Sequence, residues 1–443
     1  MDAEVIVIGG GAAGLAAARS LAARSVPVLL LEARDRLGGR VWSQPLGAAA
    51  TTAELGAEFI HGPAEQTKRL LREAGALPIA TEGESWSLQN GALQREEDDF
   101  VSAAGLFDGV RALRNDESVE EFLRRFEGTE AGRKMAQAAR AFVEGFDAAD
   151  PAIASVRAIA EEWQSGVDST AARPPGGYGP LFERLENACV ASGVRIRRST
   201  VVRRISWRRH AVTVDAIGPG GKPETMHARA AIVTLPAGVL RQRRDAGIVF
   251  DPELPEVKRA ALRSVEMGHV VKVVLRFRTA FWERLHSGRY RDAAFFRTEG
   301  GAFAAYWTQF PVRTELIVAW AGGPKALALG ATSDAELTQA ALEGFGTLLD
   351  APALARQEFE GGVMHDWTHD PFACGAYSYV AVGGGDARAI LTAPIDDTLF
   401  FAGEATATGG QGGTVNGAFE TGDRAAEAAA TSLATETCGT SEH

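Results

Sequence analysis

Residues 4–40 read EVIVIGGGAAGLAAARSLAARSVPVLLLEARDRLGGR. Glu4–Ile8 is a short apolar run rich in β-branched residues, the pattern of a strand buried on both faces. It enters Gly9-Gly10-Gly11-Ala12-Ala13-Gly14, which fits G-x-G-x-x-G. An alanine-rich helix follows over about Ala12–Ala23, then a second apolar strand, Val26–Leu31, closed by Glu32. Gly9 permits the tight turn, Gly11 admits a pyrophosphate to the backbone, and Gly14 lets helix and strand pack closely. The helix N-terminus offers unpaired N–H groups to phosphate, and Glu32 stands where a carboxylate accepts ribose hydroxyls. A chain with 50 glycines makes such strings by chance. The strand–turn–helix–strand–Glu context is what predicts a dinucleotide site.

At 443 residues the chain is too long for one ordinary core and suits two joined domains. Hydrophobic content of 46% with 23% charged residues is that of a globular protein. No apolar run reaches about eighteen residues, so no membrane span is expected. The first strand begins at once, leaving no room for a signal peptide, and the cysteines (Cys189, Cys374, Cys438) are few, odd in number and widely spaced. Neither a disulfide framework nor a metal site is expected, and the location predicted is cytoplasmic. A net charge of −11 argues against nonspecific nucleic-acid binding.

Outward from residue 40, six blocks resemble the flavin-dependent amine oxidases: monoamine oxidases, polyamine oxidases and lysine-specific histone demethylases. The first is EARDRLGGRV, with Glu32, Ala33, Arg34, Gly39 and Arg40. The second is TTAELGAEFIHGP, Thr51–Pro63, with Gly56, Ala57 and Glu58. His61 falls where polyamine oxidases carry a His or a Glu near the substrate amine. STVVRRI and TLPAGVL resemble FAD-domain segments, the former placing Val202 at the adenine. MGHVVKVVLRF, Met267–Phe277, alternates, with Val271, Val273, Leu275 and Phe277 on one face and Val270, Lys272, Val274 and Arg276 on the other. Read alone, that alternation puts Lys272 and Arg276 on one solvent-facing side; the resemblance instead puts Lys272 at a water beside flavin N5. WTHDPFACGAYSYVAVG, Trp367–Gly383, places Trp367 and Tyr377 beside the flavin. LFFAGEATATGGQGGTVNGAFETGDRAA, Leu399–Ala426, is similar to the closing FAD signature, with Gly403, Glu404, Thr414 and Val415 at the cofactor.

The resemblance implies FAD as the dinucleotide, with Gly9, Gly11, Ala13 and Gly14 at its phosphates. It also implies an α/β fold: a discontinuous Rossmann-like FAD domain (1–80, 171–268, 386–434), a substrate domain of mixed sheet plus helices (81–170, 269–385), and a tail at 435–443. Charged amphipathic patterns at Ser118–Phe126 and Glu130–Phe146 read as a helical layer over the substrate cavity. The implied activity is oxidation of a small amine by hydride transfer from its α-carbon to flavin N5, with O2 as acceptor and hydrogen peroxide as product. Lys272, Trp367, Tyr377, His61 and Thr414 are the implied catalytic set. Ala376 occupies the position of the flavin-linking cysteine of monoamine oxidases, which implies non-covalent FAD. Three alternatives stay open: an amino-acid oxidase, which needs a cationic anchor for a carboxylate; an NAD(P)H-dependent flavin reductase, which normally shows a second dinucleotide motif; and a non-catalytic flavin scaffold. Gly383-Gly384-Gly385, the nearest candidate for a second motif, neither follows a strand nor completes the pattern.

Overall fold

The computed structural model describes residues 1–47, 51–96, 105–166, 171–242, 247–330 and 332–439. The opening stretch folds as its pattern requires: strand Val5–Ile8, helix Ala12–Ala22, strand Val28–Leu31. Both strands are buried throughout. They form the middle of a five-stranded sheet ordered Arg195–Arg197, Val28–Leu31, Val5–Ile8, Ala230–Val233, Leu399–Phe401. Every pairing in it is parallel. Strands from three distant parts of the chain meet here, the arrangement of a Rossmann-like domain assembled from separate segments. Helix Ala12–Ala22 packs on the last helix, Val415–Gly439, across small residues; a Cβ on Gly422 would lie 2.3 Å from the Ala13 carbonyl oxygen. That helix carries the chain five residues past the boundary expected at Ala434, so 435–439 is helix rather than tail; 440–443 lies outside the described residues.

The second large sheet is seven-stranded and mixed. Its order is Phe359–Asp366, Val270–Phe277, Leu316–Gly322, Ala305–Trp307, Ala293–Arg297, Glu84–Gln89, Ala92–Arg95. Neighbours pair antiparallel except Ala293–Arg297 with Glu84–Gln89. The hairpin Glu84–Arg95 was not anticipated in the 81–170 segment; helices Val119–Leu123, Glu130–Gly145 and Val156–Gln164 fill its later part, where helical patterns were expected. Their starts are capped by the side chains of Ser118, Thr129 and Ser155, each accepting a backbone N–H three residues on.

The run expected as one strand, Met267–Phe277, is two. Val265–Met267 pairs with Ser378–Val380, and Val270–Phe277 enters the seven-stranded sheet. Gly268 sits at the break, where a Cβ would lie 2.8 Å from the Ala148 carbonyl oxygen. The alternation within Val270–Phe277 is real, but both faces are covered, with only Arg276 near the strand's end partly exposed. Val271, Val273, Leu275 and Phe277 pack with Leu337, Ala341 and Phe345 of helix Asp334–Leu348. Val274, on the Lys272 side, packs with Ala53 and Leu55 of the Thr51–His61 stretch. The solvent-facing reading of Lys272 is therefore overturned: it is 1% exposed.

Candidate active site

One cavity of about 1460 Å³ runs from the edge of the parallel sheet to the mixed sheet. That exceeds the few hundred to about 1,000 Å³ usual for a single small ligand. Of the residues predicted from sequence, Gly14 alone does not line it. Gly14 is instead the packing glycine, since a Cβ there would lie 1.8 Å from the Gly9 carbonyl oxygen. Gly9 has φ +108°, closed to most side chains. A Cβ on Gly11 would meet only the Gly38 carbonyl oxygen, at 3.9 Å. That open approach, at the start of helix Ala12–Ala22, fits a pyrophosphate.

At this end Glu32 is 6% exposed and accepts the Gly10 N–H at 2.7 Å and the Arg34 N–H at 2.8 Å. Burial pushes its carboxyl up, against those donors and the charges of Arg34 and Arg36. Ala33 and Val202 line the same end. Arg34 pairs with Asp370 at 2.5 Å, and Asp370 also meets His365 Nε2 at 2.9 Å. His365 lies edge-on to Trp367, ring centroids 4.3 Å apart. Further along, Arg40 donates to the Ala376 carbonyl and to Glu404, both at 2.8 Å. Glu404 in turn accepts from Ser378 Oγ at 2.6 Å and the Gly413 N–H at 3.1 Å. Its carboxylate thus holds the glycine-rich turn in place beneath the cavity. Thr414 is the N-cap of the last helix: its hydroxyl accepts the Gly417 N–H and donates to the Gln411 carbonyl, each at 2.9 Å. Gly403 and Val415 line the cavity beside them.

The far end is aromatic. Trp367 Nε1 donates to the Leu55 carbonyl at 2.8 Å, and Tyr377 Oη to the Phe146 carbonyl at 2.5 Å. Both rings belong to a small cluster with Val270, Ala376 and Trp320. His61 faces Phe59 and Phe146 at 5.7 and 5.1 Å. Burial pushes its imidazole down to about 4, so it is neutral at physiological pH. Lys272 Nζ donates to Glu58 Oε2 at 2.7 Å and to the Gly56 carbonyl at 3.1 Å. Glu58 also pairs with Arg173 at 2.8 Å and accepts from Trp307 Nε1 at 3.0 Å. Burial would raise its carboxyl, but the Lys272 and Arg173 charges and hydrogen bonds outweigh it and hold it at about 2. Behind this group lies Glu54, 7% exposed, which accepts from Ser43 Oγ and the Tyr178 N–H. Its Oε2 has no hydrogen-bond partner among the described residues, and burial raises its carboxyl to about 7.

Sequence reasoning missed Arg173, Trp307, Trp320 and Glu54. Arg173 sits in a stretch that reads only as Pro/Gly punctuation, and no local signal marks it. Gly383–Gly385 does follow a short strand, Ser378–Val380, correcting that reading, but the strand is antiparallel and those glycines do not line the cavity. Cys374 is half-buried and also absent from the lining, whereas Ala376 is part of it. Among the described residues no group of three His, Cys, Asp or Glu side chains is placed to hold a metal. Among them, too, no helix is long and apolar enough to cross a membrane.

A family model described as "Flavin containing amine oxidoreductase" matches residues 12–430. The chain belongs to that family. A flavin is thus the cofactor its membership implies, and the cradle at Gly11 and Glu32 fits the dinucleotide form. Polyamine oxidase 2 of Arabidopsis thaliana is 28% identical, over 96% of this chain and 87% of that protein. Lysine-specific histone demethylase 2 of Homo sapiens is 28% identical over 91% of this chain but 50% of its own length. The chain thus spans about half, or less, of the histone demethylases it matches. Among solved structures, putrescine oxidase bound to putrescine superposes with a TM-score of 0.79 at 22% identity, covering 96% of this chain and 98% of that one. Cyclohexylamine oxidase from Brevibacterium oxydans superposes with a TM-score of 0.78 at 23% identity, covering 98% and 100%. These likenesses establish the fold: a Rossmann-like FAD domain joined to a substrate domain of mixed sheet and helices.

Proposed function

We propose that this protein is an oxidase of small amines carrying non-covalent FAD. The carrying observation is the continuity of one cavity from Glu32 at the dinucleotide end to Trp367, Tyr377, His61 and Lys272 at the aromatic end. The flavin, when bound, supplies the hydride acceptor at N5 and passes the electrons to O2, giving hydrogen peroxide. Everything else falls to the chain. Glu32, Ala33, Arg34 and Val202 hold the adenosine, and Gly9, Gly11 and Ala13 meet the pyrophosphate. Gly39, Arg40, Gly56, Ala57, Gly403 and the helix start at Thr414–Val415 receive the remainder. Trp367 and Tyr377, each pinned by a hydrogen bond to a backbone carbonyl, wall a slot for the amine. Neutral His61 can accept an N–H from an amine without bringing a charge of its own, which suits a substrate that must react as its free base. Lys272 gives two of its three N–H donors to Glu58 and the Gly56 carbonyl, so at most one is left for a substrate carboxylate, short of a paired anchor. That weighs against the amino-acid oxidase reading. The few cysteines support a cytoplasmic setting.

Anaerobic mixing of the yellow protein with primary, secondary and tertiary amines tests this. At least one amine should bleach the flavin band. Bleaching by NADPH, or by α-amino acids, with none by simple amines would replace the proposal with a reductase or an amino-acid oxidase.

A further inference from the structure

Lys272 is held by more than the strand that carries it. An ammonium has three N–H donors. Two are accounted for by Glu58 Oε2 and the Gly56 carbonyl, which leaves one for the cavity that Lys272 lines. Glu58 is itself saturated. Besides Lys272 it accepts from Arg173 Nε at 2.8 Å, Trp307 Nε1 at 3.0 Å and Gln309 Nε2 at 3.2 Å. Arg173 is fixed in turn, donating to the Thr308 and Phe310 carbonyls at 3.0 and 3.1 Å and stacking over Phe59 at 4.4 Å. Side-chain exposures are 1% for Lys272, 3% for Glu58 and 10% for Arg173. One carboxylate thus stands between two cations, and the buried group carries a net positive charge. A buried lysine without a partner tends to give up its proton, because burial disfavours the charged form.

We propose that Glu58, braced by Arg173, is a positioning residue for Lys272: it keeps the ammonium charged and turned so that one N–H faces the flavin end of the cavity. This rests on the flavin assignment above and extends it to a carboxylate whose hydrogen bonds all go to protein groups. The titratable and charged groups around Lys272 are Glu58 and Glu54 from the Thr51–His61 stretch, Arg173 from strand Ala171–Arg173, and His365, with its partner Asp370, from the neighbouring strand.

The test uses holoprotein and a readout other than turnover: the visible spectrum of the oxidised flavin, titrated without amine from pH 6 to about 10. Four proteins are compared, namely wild type, Glu58→Gln, Lys272→Met and the double variant. Glu58→Gln should show a one-proton step absent from wild type, at least one pH unit below the ~10.4 of free lysine. The double variant should lack it, because the titrating group is gone. Steps from Glu54 or the flavin remain in the double variant and are separated on that ground. Reoxidation by O2 in Glu58→Gln should slow by about tenfold or more, the range for losing an aligned charge or proton donor. A titration identical to wild type, or a new step that survives Lys272→Met, overturns the proposal. If Glu58→Gln does not retain flavin, Glu58→Asp decides. It keeps the charge but draws the carboxylate back from Lys272, so the step should still enter the range; a wild-type titration there overturns the proposal equally. If Lys272→Met by itself alters neither the spectrum nor either half-reaction, it is the flavin-side reading of Lys272 that fails. If Lys272→Met matters and the Glu58 variants do not, the positioning role alone fails.

Discussion

Glu54→Gln should stabilise the protein at alkaline pH and do little in acid. Glu54 is buried, one of its oxygens has no hydrogen-bond partner among the described residues, and burial raises its carboxyl from the ordinary 4.5 to about 7. The folded state therefore holds this proton more tightly than the unfolded chain. Below pH 4.5 both states are protonated and the group contributes no pH dependence. Between 4.5 and 7 the unfolded chain has lost the proton and the folded protein has not, so stability falls as pH rises. Above 7 both are ionised and the loss is complete. At 1.36 kcal/mol per pH unit, the interval from 4.5 to about 7 is worth about 3 kcal/mol. Gln keeps an oxygen for Ser43 and the Tyr178 N–H and cannot ionise, so it should recover most of that. At ~2.1 cal/mol/K of unfolding entropy per residue, a chain of this length converts 3 kcal/mol into about 3 °C. Matched thermal scans of wild type and variant at pH 5 and pH 8.5 isolate the term, because every other titrating group is common to both. The variant should melt about 3 °C higher at pH 8.5 and within about 1 °C at pH 5. A difference that is the same at both pH values would mean that Glu54 does not titrate there and would refute the reasoning.

Acid precipitation should release yellow flavin to the supernatant, because Ala376 offers no thiol at the cavity wall; flavin left in the pellet, or on a Cys374 peptide, would contradict this. Tyr377→Ala should retain flavin and lose amine turnover. Tyr377→Phe, which strands the half-buried Phe146 carbonyl, should cost about 1 kcal/mol of stability while leaving the aromatic wall. Flavin loss from both variants would make Tyr377 a packing residue only. The rate of anaerobic flavin reduction should rise with pH as the amine becomes neutral, from a free-amine value near 10.4. His61→Asn should weaken amine binding without moving that limb, since His61 is already neutral above about 4. A limb that moves with His61 would assign the proton to the imidazole instead.

The strand–helix–strand unit of the candidate dinucleotide cradle was legible because its pattern is local. Gly9, Gly11, Gly14 and Glu32 lie within one strand–helix–strand unit, where spacing alone fixes which backbone groups converge. The aromatic end and its ion pairs were not legible in that way. The partners in the Glu58–Arg173, Glu58–Lys272, Arg34–Asp370 and Arg40–Glu404 contacts lie 115, 214, 336 and 364 residues apart. Such contacts follow from topology, and no window of sequence contains both partners. Resemblance supplied Lys272, Trp367 and Tyr377 as members of a motif, but not what holds them. The hairpin Glu84–Arg95 was missed for a related reason: its buried Trp86 and Leu93 pack into a core made mostly by residues beyond 270.

Lys272 shows where pattern reading stops. Alternation along Val270–Phe277 correctly separates two faces and correctly puts Lys272 opposite Val271 and Val273. It says nothing about what covers either face. A lone lysine among valines then defaults to solvent, because leaving water without a partner is costly. Here the cover is the Thr51–His61 stretch, which brings its own carboxylate, and Arg173 adds a second cation to stabilise that carboxylate. A buried pair of this kind contributes little net stability, since desolvation consumes much of the attraction. Its retention at the wall of a ligand cavity is therefore better explained by what the fixed charge does for the ligand than by what it does for the fold. On that reasoning, replacing Glu58, Lys272 and Arg173 together by apolar residues of similar volume should give a protein at least as stable as wild type that binds flavin and fails in turnover. A triple variant that unfolds would show that the cluster serves the fold first.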